Sequence, residues 1–162
     1  MLLGLAGVKS NERIKVRPTR GDMEYPTLVQ IWRSAVGTTH EFLAEDDRQR
    51  IEENLIAHYF PAVELFGAEL DGTLVDFAGV AEGTVEMLFI ASDYHGQGIG
   101  NALMDKAVSR YDARTVDVNE HNPAAVGFYR SYGFVITGWD ETDADDRPYP
   151  ILRLRLEPVP HS

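Results

Sequence analysis

The sequence predicts a single mixed α/β domain built around one sheet, and three observations carry that reading. The spacing of apolar residues switches back and forth between helical and strand periods along the chain. The segments run in the order strand, helix, helix, hairpin, strand, helix, strand, helix and two strands, a pattern of one layered α/β unit. With 162 residues, 44% of them apolar, the chain is long enough to bury about two thirds of its unfolded surface without help from disulfides or metals.

Each element has a local reason. Ile14 to Arg17 forms a short first strand, ended by Pro18, Gly21 and Asp22. Leu28, Ile31, Trp32, Ala35 and Val36 share one helical face, with Gly37 expected just past the helix end. A second helix is expected from Glu45 to Phe60, with Ile51, Leu55, Ile56 and Tyr59 inward, Asp46, Asp47, Arg48 and Glu52 outward, and Pro61 as its stop. Val63 to Leu70 and Leu74 to Val80 pair as a hairpin through Asp71-Gly72, two residue types that tolerate positive φ. Val85 to Ala91 is almost wholly apolar and reads as a central strand covered on both faces.

Gly98 opens a helix with Ile99, Leu103, Ala107 and Tyr111 on one side. Thr115 to Val118 is a strand, and Pro123 to Tyr132 a helix with proline in its first turn and Gly133 beyond its end. Phe134 to Trp139 and Ile151 to Leu156 are the last strands, the second alternating Leu152, Leu154 and Leu156 with Arg153 and Arg155. Between them runs DETDADDRP, residues 140 to 148, read as a solvated loop with an amine-attracting rim as its alternative. Residues 1–11 read as a disordered leader, since Met1 to Val8 is apolar but has neither a basic start nor a small-residue cleavage site. Residues 12–157 form the domain and 158–162 a tail.

Composition removes several functions. No cysteine is present, so disulfide frameworks, cysteine-based metal centres and cysteine nucleophiles are excluded; a cytoplasmic location is expected, and no metal. Fifteen basic and 26 acidic side chains leave a formal charge of −11, which repels nucleic-acid backbones and favours cationic partners. No apolar run approaches the length of a membrane helix.

Leu88 to Leu103, LFIASDYHGQGIGNAL, is the most informative segment: a buried strand, a turn, and three alternating glycines at a helix start. Helix N-termini carry unpaired N–H groups and partial positive charge, and glycines let that backbone approach a pyrophosphate. No Lys-Ser or Lys-Thr follows, so this is not a P-loop. A dinucleotide fingerprint fails in its last position, Asn101 counting from Gly96 and Leu103 counting from Gly98, although Asp117 lies where a ribose ligand would. A nicotinamide-binding domain is therefore the runner-up, short of sheet because only 66 residues follow Gly96.

Residues 95 to 100 resemble the Q/R-x-x-G-x-G/A coenzyme A turn of the GNAT superfamily of N-acetyltransferases, with His95 in the first position. The likeness continues through Asn119, Asn122, Ala125, Phe128-Tyr129 and Gly133-Phe134. Ile31 to Ser34, Thr39 to Leu43 and Arg147 to Pro150 are similar to its YjaB-type branch. The resemblance implies central strands splayed around acetyl-CoA as co-substrate. Its pyrophosphate would lie on His95, Gly96, Gln97, Gly98, Ile99, Gly100 and Asn101. Its pantetheine arm would run along Leu88, Phe89 and Ile90 and within reach of Asn122. The acceptor would be a primary amine, of a protein lysine, an N-terminus or a small molecule, and the enzyme a monomer or homodimer. A catalytically silent coenzyme A sensor on the same fold is the alternative from another class.

The chemistry then asks for an acid and a base. An amine with a pKa of about 10.4 is neutral in only about one molecule in a thousand at neutral pH, and the departing thiolate needs a proton. Tyr129 matches the acid of the superfamily. Glu86, a carboxylate among apolar neighbours on a central strand, is the candidate base. His40 lies in the connection where the superfamily builds its acceptor site, and Trp32 is a candidate acceptor contact that also suits the core.

Overall fold

The computed structural model describes residues 13–39, 44–91 and 98–157. Among these, seven strands form one sheet: β1 (Ile14–Pro18), β2 (Glu64–Leu70), β3 (Thr73–Ala81), β4 (Thr84–Ile90), β5 (Thr115–Asn119), β6 (Phe134–Asp140) and β7 (Ile151–Leu156). Their order is β1-β2-β3-β4-β5-β7-β6. Only β4 and β5 run parallel; the other neighbours are antiparallel. A doubly wound dinucleotide fold needs a mostly parallel sheet, so the nicotinamide reading falls.

Helices cover both faces. On one side α3 (Ile99–Tyr111) and α4 (Pro123–Tyr132) bury Ile99, Leu103, Met104, Ala107 and Tyr129 against Phe66, Val80, Val85, Val116 and Leu154. On the other, α1 (Tyr25–Thr39) and α2 (Glu45–Asn54) close over Phe77 and Met87 with Leu28, Ile31, Trp32, Val36 and Phe60. The Asp71-Gly72 hairpin and the helix from Pro123 stand where the local signals put them, with Asp71 and Gly72 both at positive φ.

Four expectations are corrected. The strand from Val85, expected to be covered on both faces, leaves Glu86 exposed and Leu88, Phe89 and Ile90 half-buried, because β5 stops pairing with it after Val85. Gly37 does not end α1, which runs on to Thr39. An interior glycine costs a helix only about 1 kcal/mol relative to alanine, and the buried stripe ahead of it outweighs that. The expected helix from Glu45 to Phe60 divides into α2, a π-wound turn over Leu55–Tyr59 and a 3-10 turn over Phe60–Ala62. The wider turn rotates the later side chains, so Leu55 and Phe60 are buried while Ile56 is 47% exposed, not inward. Asp47, expected to face solvent, is largely covered, with 17% of its side chain exposed.

Candidate active site

β4 and β5 pair at two rungs only, Thr84 with Thr115 and Val85 with Val116. Their closed end is pinned by the Gly83 carbonyl, which accepts from the Arg114 and Thr115 amides at 2.7 and 3.2 Å, and by a 2.7 Å contact between the Thr84 and Thr115 hydroxyls. Beyond Val85 and Val116 the ladder stops, although β4 continues to Ile90 and β5 to Asn119. β4 also carries an extra residue at this point. Val80 faces Val85 and Gly79 faces Met87, so Glu86 has no partner on β3 and bulges. A bulge bends and twists its strand, and this one falls at the residue where pairing with β5 stops. Leu88, Phe89 and Ile90, half-buried, follow on the diverging part of β4.

One side of the gap meets the start of α3. Gly98 holds φ +79°, a left-handed conformation that admits glycine without strain, and a side chain there would meet open space. The first intrahelical amide is that of Ala102, bonded to the Gly98 carbonyl at 3.2 Å, which leaves the N–H groups of Ile99, Gly100 and Asn101 to outside acceptors. Gly100 answers to packing: a Cβ there would come within 3.1 Å of Phe128 and 3.2 Å of Ile90. His95, Gly96 and Gln97 lie outside the described residues. Asn122 begins α4, its side-chain oxygen accepting from the Ala125 amide at 3.2 Å, and is 5% exposed. Tyr129, two turns further, is 6% exposed and meets Phe128 and Phe134 edge-on. Burial holds its phenol protonated well above the usual range.

The opposite face opens into a cavity of about 650 Å³. Trp32, a core residue 2% exposed, contributes to its wall with Met87 and Phe89, while Glu86 and Asp117 line it beside the gap. Desolvation and then the Asp117 charge raise the Glu86 carboxyl above the ordinary range. Asp117 is raised by desolvation and by Asp140, against the lowering effect of Arg153, whose Nε stands 3.9 Å from Asp117 Oδ1 and whose Nη2 pairs with Asp140.

The acidic segment after β6 is part of this wall and not a purely solvated loop. Arg147, with 16% of its side chain exposed, reaches Asp145 at 3.2 Å, Asp143 at 3.4 Å and Asp47 at 3.8 Å. The Tyr149 hydroxyl donates to Asp47 and accepts from the Ala44 amide at 3.1 Å, and Tyr59 donates to Asp145 at 3.4 Å. These bonds strap the β6–β7 loop to α2. Sequence alone singles out neither Asp117 nor Asp47 for the acceptor site; of the strap it offers residues 140–148, as an amine-attracting rim alternative to a solvated loop. The register that aims Asp117 at the cavity is a property of the sheet, and the strap joins residues about a hundred positions apart. His40 lies outside the described residues.

A helix start with unpaired amides on one face and a cavity on the other, at the point where two strands part, is an arrangement that suits group transfer between two substrates. Comparison with known proteins makes the class specific: the chain belongs to the GNAT acetyltransferases, whose acetyltransferase (GNAT) domain model matches residues 33–146. It is 39% identical over 142 residues to the peptidyl-lysine N-acetyltransferase YjaB of Salmonella typhimurium, an alignment covering 87% of this chain and 97% of that protein. Its structure is similar to the solution structure of apo-form YjaB from Escherichia coli, with a TM-score of 0.79, 36% identity, and 88% and 96% of the two chains covered. The fold also matches the PaiA N-acetyltransferase of Thermoplasma acidophilum solved with coenzyme A, at a TM-score of 0.63 and 18% identity, covering 88% of this chain and 98% of that one. The protein is an N-acetyltransferase, and no helix among its described residues is long and apolar enough to cross a membrane.

Proposed function

We propose that this N-acetyltransferase takes its acetyl group from acetyl-CoA and delivers it to the side-chain amine of a lysine in a protein or peptide, with both substrates bound at once. The observation that carries the reading is the gap beyond Val85 and Val116, which joins an anion-receptive helix start on one face to an acidic cavity on the other. The relatives named peptidyl-lysine N-acetyltransferase and the coenzyme A complex of a fold neighbour support it. Acetyl-CoA, when bound, supplies an activated thioester carbonyl.

The residues present fit that group. Gly98 and the first-turn amides of α3 would receive the pyrophosphate without a side-chain cation, the diverging edge of β4 from Leu88 to Ile90 would run beside the pantetheine arm, and Asn122 caps the start of α4. On the cavity face Glu86 accepts one proton from the acceptor's ammonium group and so frees the nitrogen lone pair to form the C–N bond. On the α4 face Tyr129 donates its hydroxyl proton to the sulfur as the C–S bond breaks and regains one from the newly acylated nitrogen. Glu86 then returns its proton to solvent, and the balance is one amide, one thiol and one released proton. Base and acid stand on opposite faces, as a transfer across the sheet requires.

The test is direct: calorimetry with acetyl-CoA, followed by mass spectrometry of lysine peptides, N-terminal amines and polyamines incubated with enzyme and donor. Acetyl-CoA binding with acetylation of lysine ahead of the other amines is the expected result. Binding without transfer to any amine would leave only a coenzyme A sensor.

A further inference from the structure

The first rung that β4 and β5 leave unpaired is the one that would join Glu86 to Asp117. In parallel strands of matched register, side chains of one rung point to the same face. Val85 and Val116 both enter the core under α3, so the next residue on each strand turns to the other face, and Glu86 and Asp117 both line the acceptor cavity. The bulge adds to this, since it frees Glu86 from the β3 ladder.

The charged groups that face Glu86 come from every wall. Asp117 is on β5, Arg153 on β7 and Asp140 at the end of β6; Tyr59 stands on the π-wound turn, and Glu141 with the strap of Asp143, Asp145 and Arg147 lies in the β6–β7 loop. Arg153 is shared between Asp117 and Asp140, and Arg147 is held by Asp47, Asp143 and Asp145, so each cation already has more than one carboxylate.

We propose that Asp117 is a positioning residue for the base: beside Glu86 on the first open rung, it helps to hold the acceptor's ammonium group between two carboxylates, and its charge makes Glu86 the better proton acceptor. This rests on the reading of Glu86 as base. Asp117 forms no bond with the reacting carbonyl. It holds the cation before transfer, and after Glu86 has taken the proton it favours the neutral acid over two adjacent anions. Through Arg153 it adjoins Asp140 at the cavity wall.

The experiment uses the full chain and two variants, Asp117→Asn and Asp117→Glu. In the free protein, carboxyl ¹³C NMR follows the titration of Glu86. Its midpoint should fall by roughly half a unit or more in the asparagine variant and return in the glutamate variant, the behaviour of a group that loses and regains a like-charged neighbour. In steady-state assays with a lysine peptide, Asp117→Asn should shift the acid limb of kcat/KM to lower pH by the same amount and raise the peptide KM severalfold, with acetyl-CoA affinity unchanged. An unmoved Glu86 midpoint in a variant whose amide spectrum shows an intact fold would overturn the proposal, and so would an acid limb that stays in place. An inactive parent would instead refute the function proposed above, while the titration in the free protein still decides whether Asp117 acts on Glu86.

Discussion

Tyr129 and Asp76 are both buried, and their chemistry separates what a side chain does for the reaction from what it does to the fold. Tyr129 packs with Phe128 and Phe134 through its ring, and in the proposed mechanism its hydroxyl is the acid. Tyr129→Phe keeps the packing, so it should retain its melting temperature and acetyl-CoA affinity yet lose about 10- to 1,000-fold in kcat. Full turnover in that variant would make the residue structural. Asp76, on β3 between Ala68 and Ile90, is fully buried, and neither carboxyl oxygen has a hydrogen-bond partner. Burial pushes its pKa up to about 8, against a lowering contribution from the Ala68 amide. An acid whose folded pKa exceeds its unfolded one binds its proton more tightly in the folded state, so folding loses stability as pH rises from near 4 to near 8, by up to about 1.4 kcal/mol per unit. Asp76→Asn should remove that slope. In thermal melts its advantage over the parent should grow across this window and level off above it, and parallel pH profiles would show that Asp76 does not titrate there.

At the scale of elements, the start of α3 carries the sharpest local signal. The glycine spacing points to an anion site, and Gly98 adopts the left-handed conformation that glycine takes without strain. Gly98→Glu should abolish acetyl-CoA binding by calorimetry. Gly98→Asn is the control, because asparagine tolerates positive φ and brings no charge; it should bind within about tenfold of the parent. Equal loss in both would assign the effect to strain. Gly100 has a packing reason of its own, since Phe128 and Ile90 press on it from inside. Elements with a local signature were legible: the Asp71-Gly72 turn, the Pro123 start and Gly133 stop of α4, and the alternation in β7. The π-wound turn and the bulge at Glu86 were not, because both arise from how neighbouring elements pack and carry no composition of their own. The strap from Asp47 to Arg147 and Tyr149 was hidden for a related reason: periodicity alone assigns Asp47 to solvent, and its partners are far along the chain.

For the molecule as a whole, the charge of −11 includes carboxylates that line the cavity beside Glu86, so on the proposed function it would act as a field for cationic acceptors as well as a solubilising coat. Such a field draws cationic peptides from a distance but is screened beyond about 8 to 10 Å at physiological ionic strength. Added sodium chloride should raise KM for lysine-rich peptides while leaving a neutral acceptor's KM nearly unchanged; equal effects on both would reduce the charge to a solubility device. The strap has a kinetic corollary. It ties Ala44 and Asp47 to Tyr149 across more than a hundred residues, and closing so long a loop is entropically unfavourable until the sheet between has formed. Its bonds therefore belong to the late side of the folding barrier. Loosening them with Tyr149→Phe should steepen the loss of native protein by speeding unfolding, about tenfold for each 1.4 kcal/mol removed, while stopped-flow refolding keeps its rate. The strap thus acts as a latch on the lifetime of the folded enzyme.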